Sequence, residues 1–137
     1  MTRKELQALA RVRLGEAKAL LATGHPEGAY YLAGYAAECA FKACIAKQTQ
    51  RHEFPDLARA QASWRHNLEE LAVAARLVNA LNDLQRQSPE FNLNWTIVRK
   101  WREQSRYDRP SHSAANALIC ALEDRKHGVI TWLKRHW

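Results

Sequence analysis

Residues 99–109 combine positive charge and aromatic rings in a pattern that suits nucleic acid. Five cationic side chains outnumber two acidic ones in this stretch, which gives a local net charge of +3. Trp101 and Tyr107 interrupt the basic run. Because cations hold phosphates and aromatic rings stack on bases, the stretch predicts a surface for RNA or a nucleotide. In the alternative interpretation the charges are merely solvated and the aromatic rings anchor helices. We expect core packing for Trp101, and either role for Tyr107.

His112 follows the basic run and adds a group that exchanges a proton near neutral pH. Metal-independent RNA cleavage requires deprotonation of a ribose 2′-hydroxyl, attack on the adjacent phosphate and departure of the 5′-oxygen. An imidazole can carry the proton, and a guanidinium can hold the negative charge that develops on phosphorus. Arg106 and Arg109 both lie close enough in the sequence to act with His112, and Asp108 could pair with either arginine.

Glu38 is a carboxylate within the Ala-rich stretch of residues 32–45. Lys42 lies four residues later, in the order that stabilises a helix by about 0.2–0.5 kcal/mol when the pair is exposed. This pair is one interpretation of Glu38. In the other, Glu38 is a partly buried carboxylate that orients Arg106.

The elements that carry these residues are predicted to be helices. A first helix is expected from about residue 2 to residue 22, because Thr2 and Glu5 form a capping box. A second is expected from about residue 26, where Pro26 suits the first turn of a helix, to about residue 48. It has small residues at helical spacing and should be the central helix. Residues 51–65, which include Pro55, predict a loop or a short irregular helix.

The second half of the chain predicts further helices. Helical pattern restarts at Asn67, resumes through Leu77, Leu81 and Leu84, and ends at Ser88-Pro89. A short helix is expected around residues 95–101. Residues 104–111 are predicted to be a linker. The last helix is expected to begin near Ser111 or Ser113 and to run toward the C-terminus. Gly128 in its interior costs about 1 kcal/mol relative to Ala and marks a close contact or a local bend. We therefore expect one all-α domain over residues 1–137.

Composition restricts the functional class. The net charge is +7 and the isoelectric point about 9.7, which favours a polyanionic partner or simply prevents self-association. Three cysteines without a signal-peptide pattern or an apolar stretch of membrane-spanning length predict a cytoplasmic protein with reduced thiols. The histidine and cysteine spacings match no zinc motif, and no phosphate-binding loop, dinucleotide fingerprint or nucleophile elbow is present. We expect no cofactor and no metal.

Three stretches resemble small prokaryotic HEPN-domain proteins. They are GAYYLAGYAAECAFKA at residues 28–43, HNLEEL at residues 66–71, and residues 101–134, which include SRY at 105–107 and GVITWLK at 128–134. The resemblance implies an antiparallel bundle of about four main helices with short extra helices, and frequent homodimerisation. It also implies that some relatives pair with a nucleotidyltransferase as toxin and antitoxin.

Many active HEPN members resemble metal-independent ribonucleases. Their motif is an arginine and a histidine with four to six residues between them, near the start of the last main helix. Arg106 and His112, with five residues between them, are similar to that motif. The resemblance therefore implies an endoribonuclease of a toxin–antitoxin or defence system, with catalytic Arg106 and His112 and supporting roles for Glu38, Tyr107 and Arg109. The alternatives are a non-catalytic helical dimer that binds a nucleotide or a nucleotidyltransferase partner, and a plain dimerisation scaffold with Trp132 and Trp137 at its interface.

Overall fold

The computed structural model describes residues 1–49, 60–61 and 64–137, and the regular structure within these residues is entirely helical. The predicted loop at residues 51–65 lies almost wholly outside them. In chain order the helices are α1 (Arg3–Ala22), α2 (Pro26–Gln48), α3 (Leu68–Ala74), α4 (Val78–Gln87), α5 (Pro89–Val98), a 3-10 turn (Glu103–Tyr107), α6 (His112–Glu123) and α7 (Val129–Leu133). None of the described helices is long and apolar enough to cross a membrane.

Helices α1 and α2 form an antiparallel hairpin. The predicted capping box at the start of α1 is present, because the Thr2 side chain accepts a bond from the Glu5 amide and the Glu5 carboxylate accepts one from the Thr2 amide. Gly24, with a φ of 84°, turns the chain between the two helices. Leu20 near the end of α1 packs against Gly28 near the start of α2.

Helix α2 is the central element, as its small residues predict. Twelve of its 23 residues are buried, and most of these are alanine, glycine or cysteine. Because such side chains let neighbouring backbones approach closely, α1, α6, α7 and the 3-10 turn all pack against the same helix. The larger buried side chains stand mainly on the surrounding elements; they include Leu68, Leu71, Phe91, Trp101, Leu118, Leu122 and Leu133.

The helical pattern predicted from Asn67 through Leu84 forms two helices, and the second ends before Ser88-Pro89 as predicted. Asn67 begins α3 as predicted, since its side chain accepts bonds from the amides of Glu69 and Glu70. The chain then turns at Arg76, whose φ is 56°. The Arg76 and Leu77 amides donate to the carbonyls of Val73 and Ala72, which is the usual hydrogen bonding of a helix end closed by a left-handed residue. A glycine commonly marks such an end, and none is present here.

The last predicted helix is also interrupted. Helix α6 ends at Glu123, where the Asp124 carboxylate accepts bonds from the amides of Lys126 and His127 and so replaces helical bonding. Gly128 therefore lies at the start of α7 and not inside a helix. A Cβ at this position would lie 2.6 Å from backbone atoms of Asp124, so close approach is the reason for glycine.

Trp132 and Trp137, considered above for an interface, are both buried within the chain. The Trp132 ring packs edge-on against Phe91 at 5.5 Å, and the Arg11 guanidinium lies 4.9 Å from the Trp137 ring. The two rings close the end of the helical core. They offer no exposed aromatic surface for a second copy.

Candidate functional site

The predicted basic stretch is anchored to the core through Trp101. This tryptophan is fully buried, as expected, and its ring lies against Gly34 of α2. A Cβ at position 34 would approach the Trp101 ring nitrogen to 2.1 Å, so only glycine leaves room for the ring. Ser105, in the 3-10 turn, is also buried. Burial of Trp101 and Ser105 fixes the position of the turn on α2.

Beyond this anchor the chain turns outward. We use the term edge segment for residues 103–112, which comprise the 3-10 turn, its connection to α6 and the first residue of α6. The predicted site residues Arg106, Tyr107, Arg109 and His112 are all exposed on it. Tyr107 is 76% exposed, which excludes the core-packing role for this ring and leaves its face available to a ligand.

Arg106 is held loosely between an acidic and an aromatic neighbour. Its guanidinium donates to Glu103 Oε1 at 3.4 Å and lies 4.9 Å from the centre of the Tyr107 ring. Interaction with Tyr107 raises the pKa of Arg106, and Tyr31 and Glu103 add smaller contributions, so the guanidinium stays charged. Because exposed ion pairs contribute little to stability, a phosphate could replace Glu103 at little cost.

His112 is the first residue of α6. The Ser111 side chain caps this helix by accepting a bond from the Ala114 amide, so the His112 ring stands beside the positive end of the helix. Within the described residues no hydrogen bond joins Arg106 to His112. The structure thus brings both residues to the edge segment and exposes both, without a direct bond between them.

Arg109 and its neighbours connect the edge segment to the start of α2. Arg109 Nε lies 3.5 Å from Glu27 Oε1, and both side chains are largely exposed. Burial raises the pKa of Tyr30, and the nearby negative charge of Asp108 raises it further. Asp108 therefore faces Tyr30 on α2, and the ion pair of Arg109 is with Glu27.

The basic run carries less free charge than its composition predicts. Arg99 pairs with Glu69 at 3.3 Å, and Arg102 donates to two main-chain carbonyls. Together with the Arg106–Glu103 and Arg109–Glu27 pairs, three of the run's four arginines face a carboxylate. Glu27 and Glu69 are distant in sequence, so counting charges within the run could not find them.

Glu38 is more deeply buried than predicted, with 1% of its surface exposed. Its Oε1 accepts bonds from Lys42 Nζ at 2.7 Å and from His66 Nδ1 at 2.9 Å, so the predicted pair with Lys42 forms. Its Oε2 has no hydrogen-bond partner in the described part of the chain. Among the described contacts no hydrogen bond or ion pair joins Arg106 to Glu38, so any orienting effect of Glu38 on Arg106 passes through other residues.

His66 is the functional candidate that the sequence did not single out. Its Nδ1 faces Glu38, and its Nε2 lies 3.4 Å from Glu103 Oε2. The sequence places His66 just before the cap of α3, far from residues 38 and 103. Its only signal was its position at the start of the HNLEEL stretch, which carries no information about these two partners.

Lys42 and His66 also line a cavity of about 490 Å³, which lies between the start of α1 and the end of α2. Its other lining side chains are mainly apolar and include Leu6, Leu9, Tyr35 and Ile45. Among the described residues no group of three or more histidine, cysteine or acidic side chains is arranged to hold a metal ion. All three cysteines are free thiols; Cys39 and Cys44 are buried and Cys120 is exposed.

The geometry thus consists of an exposed arginine, tyrosine and histidine on one short segment, with a buried carboxylate behind it. No protein-family model, no curated protein and no solved structure matches this chain.

Proposed function

We propose that this chain is a HEPN-type helical domain that binds single-stranded RNA at the edge segment and cleaves it without a metal ion. The observation that carries the proposal is the joint exposure of Arg106, Tyr107 and His112 on one segment that is anchored by buried Trp101. The all-helical architecture, the long central α2 and the position of the Ser-Arg-Tyr sequence just before α6 support the same proposal.

In the proposed reaction His112 accepts the proton of a ribose 2′-hydroxyl. The 2′-oxygen attacks the adjacent phosphorus, the bond from phosphorus to the 5′-oxygen breaks, and the leaving oxygen takes the proton from His112, which returns to its starting state. The products are a 2′,3′-cyclic phosphate and a 5′-hydroxyl. Arg106 exchanges its weak contact with Glu103 for the phosphate oxygens and holds the charge that builds on them. Tyr107 stacks on a neighbouring base.

The biological setting follows from the resemblance to HEPN-domain proteins and is part of the proposal. The chain acts in the cytoplasm as a homodimer that brings two edge segments together, within a toxin–antitoxin or defence system. A nucleotidyltransferase-type antitoxin is the proposed protein partner.

The test uses labelled single-stranded RNA, purified protein and a chelator. We expect cleavage by the wild type, termination in a 2′,3′-cyclic phosphate by mass spectrometry, and no cleavage where the scissile ribose is 2′-deoxy. Arg106→Ala and His112→Ala should each lower the rate by about a hundredfold or more.

Two control variants match these substitutions in exposure. Arg86 pairs with Asp83 at the same three-residue spacing as Arg106 with Glu103, and His25 is an exposed histidine at the start of α2. Arg86→Ala and His25→Ala should leave the rate unchanged. Cleavage that survives both Arg106→Ala and His112→Ala would reject the catalytic assignment.

A second function is favoured by the exposed Tyr107 ring and by the lack of a direct Arg106–His112 bond among the described contacts. In this case the edge segment binds a nucleotide, or a nucleotidyltransferase partner, without cleavage. The two functions differ in their response to 2′-deoxy substitution: a binding module holds the deoxy ligand and the ribose ligand with similar affinity and leaves both intact. Calorimetry with both ligands, together with co-purification of the candidate partner, distinguishes the two.

A further inference from the structure

A line of polar contacts runs from the centre of α2 to the edge segment. Lys42 and His66 both contact Glu38 Oε1, His66 contacts Glu103 Oε2, and Glu103 contacts Arg106. Glu38 is 1% exposed, whereas the side chains of His66, Glu103 and Arg106 are 39%, 31% and 46% exposed. The buried end is fixed by packing, and the exposed end is the proposed site.

We propose that His66 is a positioning residue that sets the orientation of Arg106 through Glu103. This inference rests on the proposed role of the edge segment and adds a residue from outside that segment. Glu103 has two carboxylate oxygens with different neighbours. Oε1 accepts a bond from Arg106, and Oε2 lies 3.4 Å from His66 Nε2, which donates to it when both ring nitrogens carry a proton. Because a carboxylate is planar, fixing one oxygen also fixes the direction in which the other accepts a bond.

His66 is itself held at two points, one in its ring and one in its main chain. Its Nδ1 contacts the buried Glu38 carboxylate, and its main chain leads directly into Asn67, whose side chain caps α3. Without this support the pair of Arg106 with Glu103 would be an ordinary exposed ion pair between residues three positions apart, and such pairs exchange freely between rotamers. With the support, Glu103 holds one side of the guanidinium while the Tyr107 ring lies against it. Arg106 is then preorganised for a phosphate.

The primary test follows the Arg106 side chain directly by NMR. The Nε–Hε signal of Arg106 is assigned by its disappearance in Arg106→Lys. In His66→Ala we expect this signal to move to the averaged position of unrestrained arginines, while the Arg86 signal stays in place. In His66→Gln, which keeps a donor at this position, the Arg106 signal should return part of the way to its wild-type position.

Two further variants separate positioning from folding. His127→Ala is the matched control, because His127 is also partly buried and contacts one side chain, Ser88, at 3.3 Å. It should leave the Arg106 signal unchanged. Glu103→Ala breaks the line without touching Glu38 and should reproduce the His66→Ala shift, so the inference stays testable even if His66→Ala fails to fold. An unchanged Arg106 signal in folded His66→Ala or in Glu103→Ala overturns it.

The RNA assay supplies an independent measurement. His66→Ala should lower kcat about tenfold with little change in KM, because orientation matters most in the transition state. In an Arg106→Ala background the same substitution should cause no further loss. If the wild type cleaves no RNA, the nuclease proposal fails while the NMR result still decides the role of His66. If RNA is cleaved but the Arg106 signal ignores His66, only the positioning inference fails.

Discussion

The helical core and the edge segment both pack on α2, but their side chains make different kinds of contact: close packing in the core and exposed ion pairs on the edge segment. In the core, small side chains let α1, α6 and Trp101 approach the helix closely, and shape alone decides which residue fits. On the edge segment, arginines meet carboxylates at 3.4 and 3.5 Å while remaining largely exposed. The core therefore resists substitution, whereas the ion pairs of the edge segment can be exchanged for those of a ligand.

The largest expected contrast between the two regions is in thiol reactivity. Burial raises the pKa of Cys39 to about 11 and that of Cys44 to about 12. At pH 8 about one Cys39 side chain in a thousand is then the reactive thiolate, and steric protection lowers its rate of reaction further. We expect iodoacetamide to label Cys120 in the native protein, and Cys39 and Cys44 only after unfolding. Mass spectrometry counts the labels; early labelling of Cys39 or Cys44 would show that the core is open.

Gly34→Ala should cause the largest loss of stability. The new Cβ would lie 2.1 Å from the Trp101 ring, and the buried ring is closely packed, so we expect a loss of about 3 kcal/mol or more. Gly15→Ala is the matched control, because Gly15 lies within α1 and no neighbouring atom comes within 4 Å of the position that the new methyl group would occupy. Gly15→Ala should raise the free energy of unfolding by about 0.5–1 kcal/mol. Urea unfolding measures both changes; equal effects would contradict the close fit.

Glu38→Ala should have an intermediate effect. It removes the buried acceptor of two hydrogen bonds, but Lys42 and His66 are partly exposed and regain water, so we expect a loss of about 1–3 kcal/mol. Glu69→Ala removes an exposed carboxylate that pairs with Arg99, and should change stability by less than about 0.5 kcal/mol. Thermal and urea unfolding of both variants test whether burial makes the difference.

Tyr107→Ala should have the smallest effect on folding. The ring is largely exposed, so the free energy of unfolding should change by less than about 0.5 kcal/mol. Its affinity for single-stranded RNA, measured by fluorescence anisotropy, should nevertheless fall by about 1–3 kcal/mol if the ring stacks on a base. A variant that loses stability without losing affinity would assign Tyr107 to the fold.

Local patterns in the sequence predicted most of the helices. The Thr2 cap, the Pro26 start and the Asn67 cap each act within a few residues, and all three helices begin as expected. The breaks at Arg76 and Asp124 were missed because an arginine took a left-handed conformation and an aspartate side chain captured two amides. Neither feature has the glycine or proline that usually marks a helix end.

The site was predictable only in part. Exposure of Arg106 and His112 next to α6 agrees with their place in the sequence, and the buried Trp101 agrees with its expected packing. The contacts of His66 and the acidic partners of Arg99 and Arg109 depend on how α2, α3 and the edge segment meet in space. Such long-range pairs leave no periodic trace, and sequence reasoning therefore overestimated the free positive charge of this surface.

The fit of the Trp101 ring into the notch at Gly34 also limits how this fold can change during evolution. A side chain at position 34 is acceptable only if the indole at position 101 is replaced by something smaller, and a smaller residue there leaves a void that favours return of the tryptophan. The two positions should consequently vary together, as a pair of glycine and tryptophan or as a pair of larger and smaller residues. Chains that descend from the same ancestor can be recognised by that exchange even after most other positions have diverged.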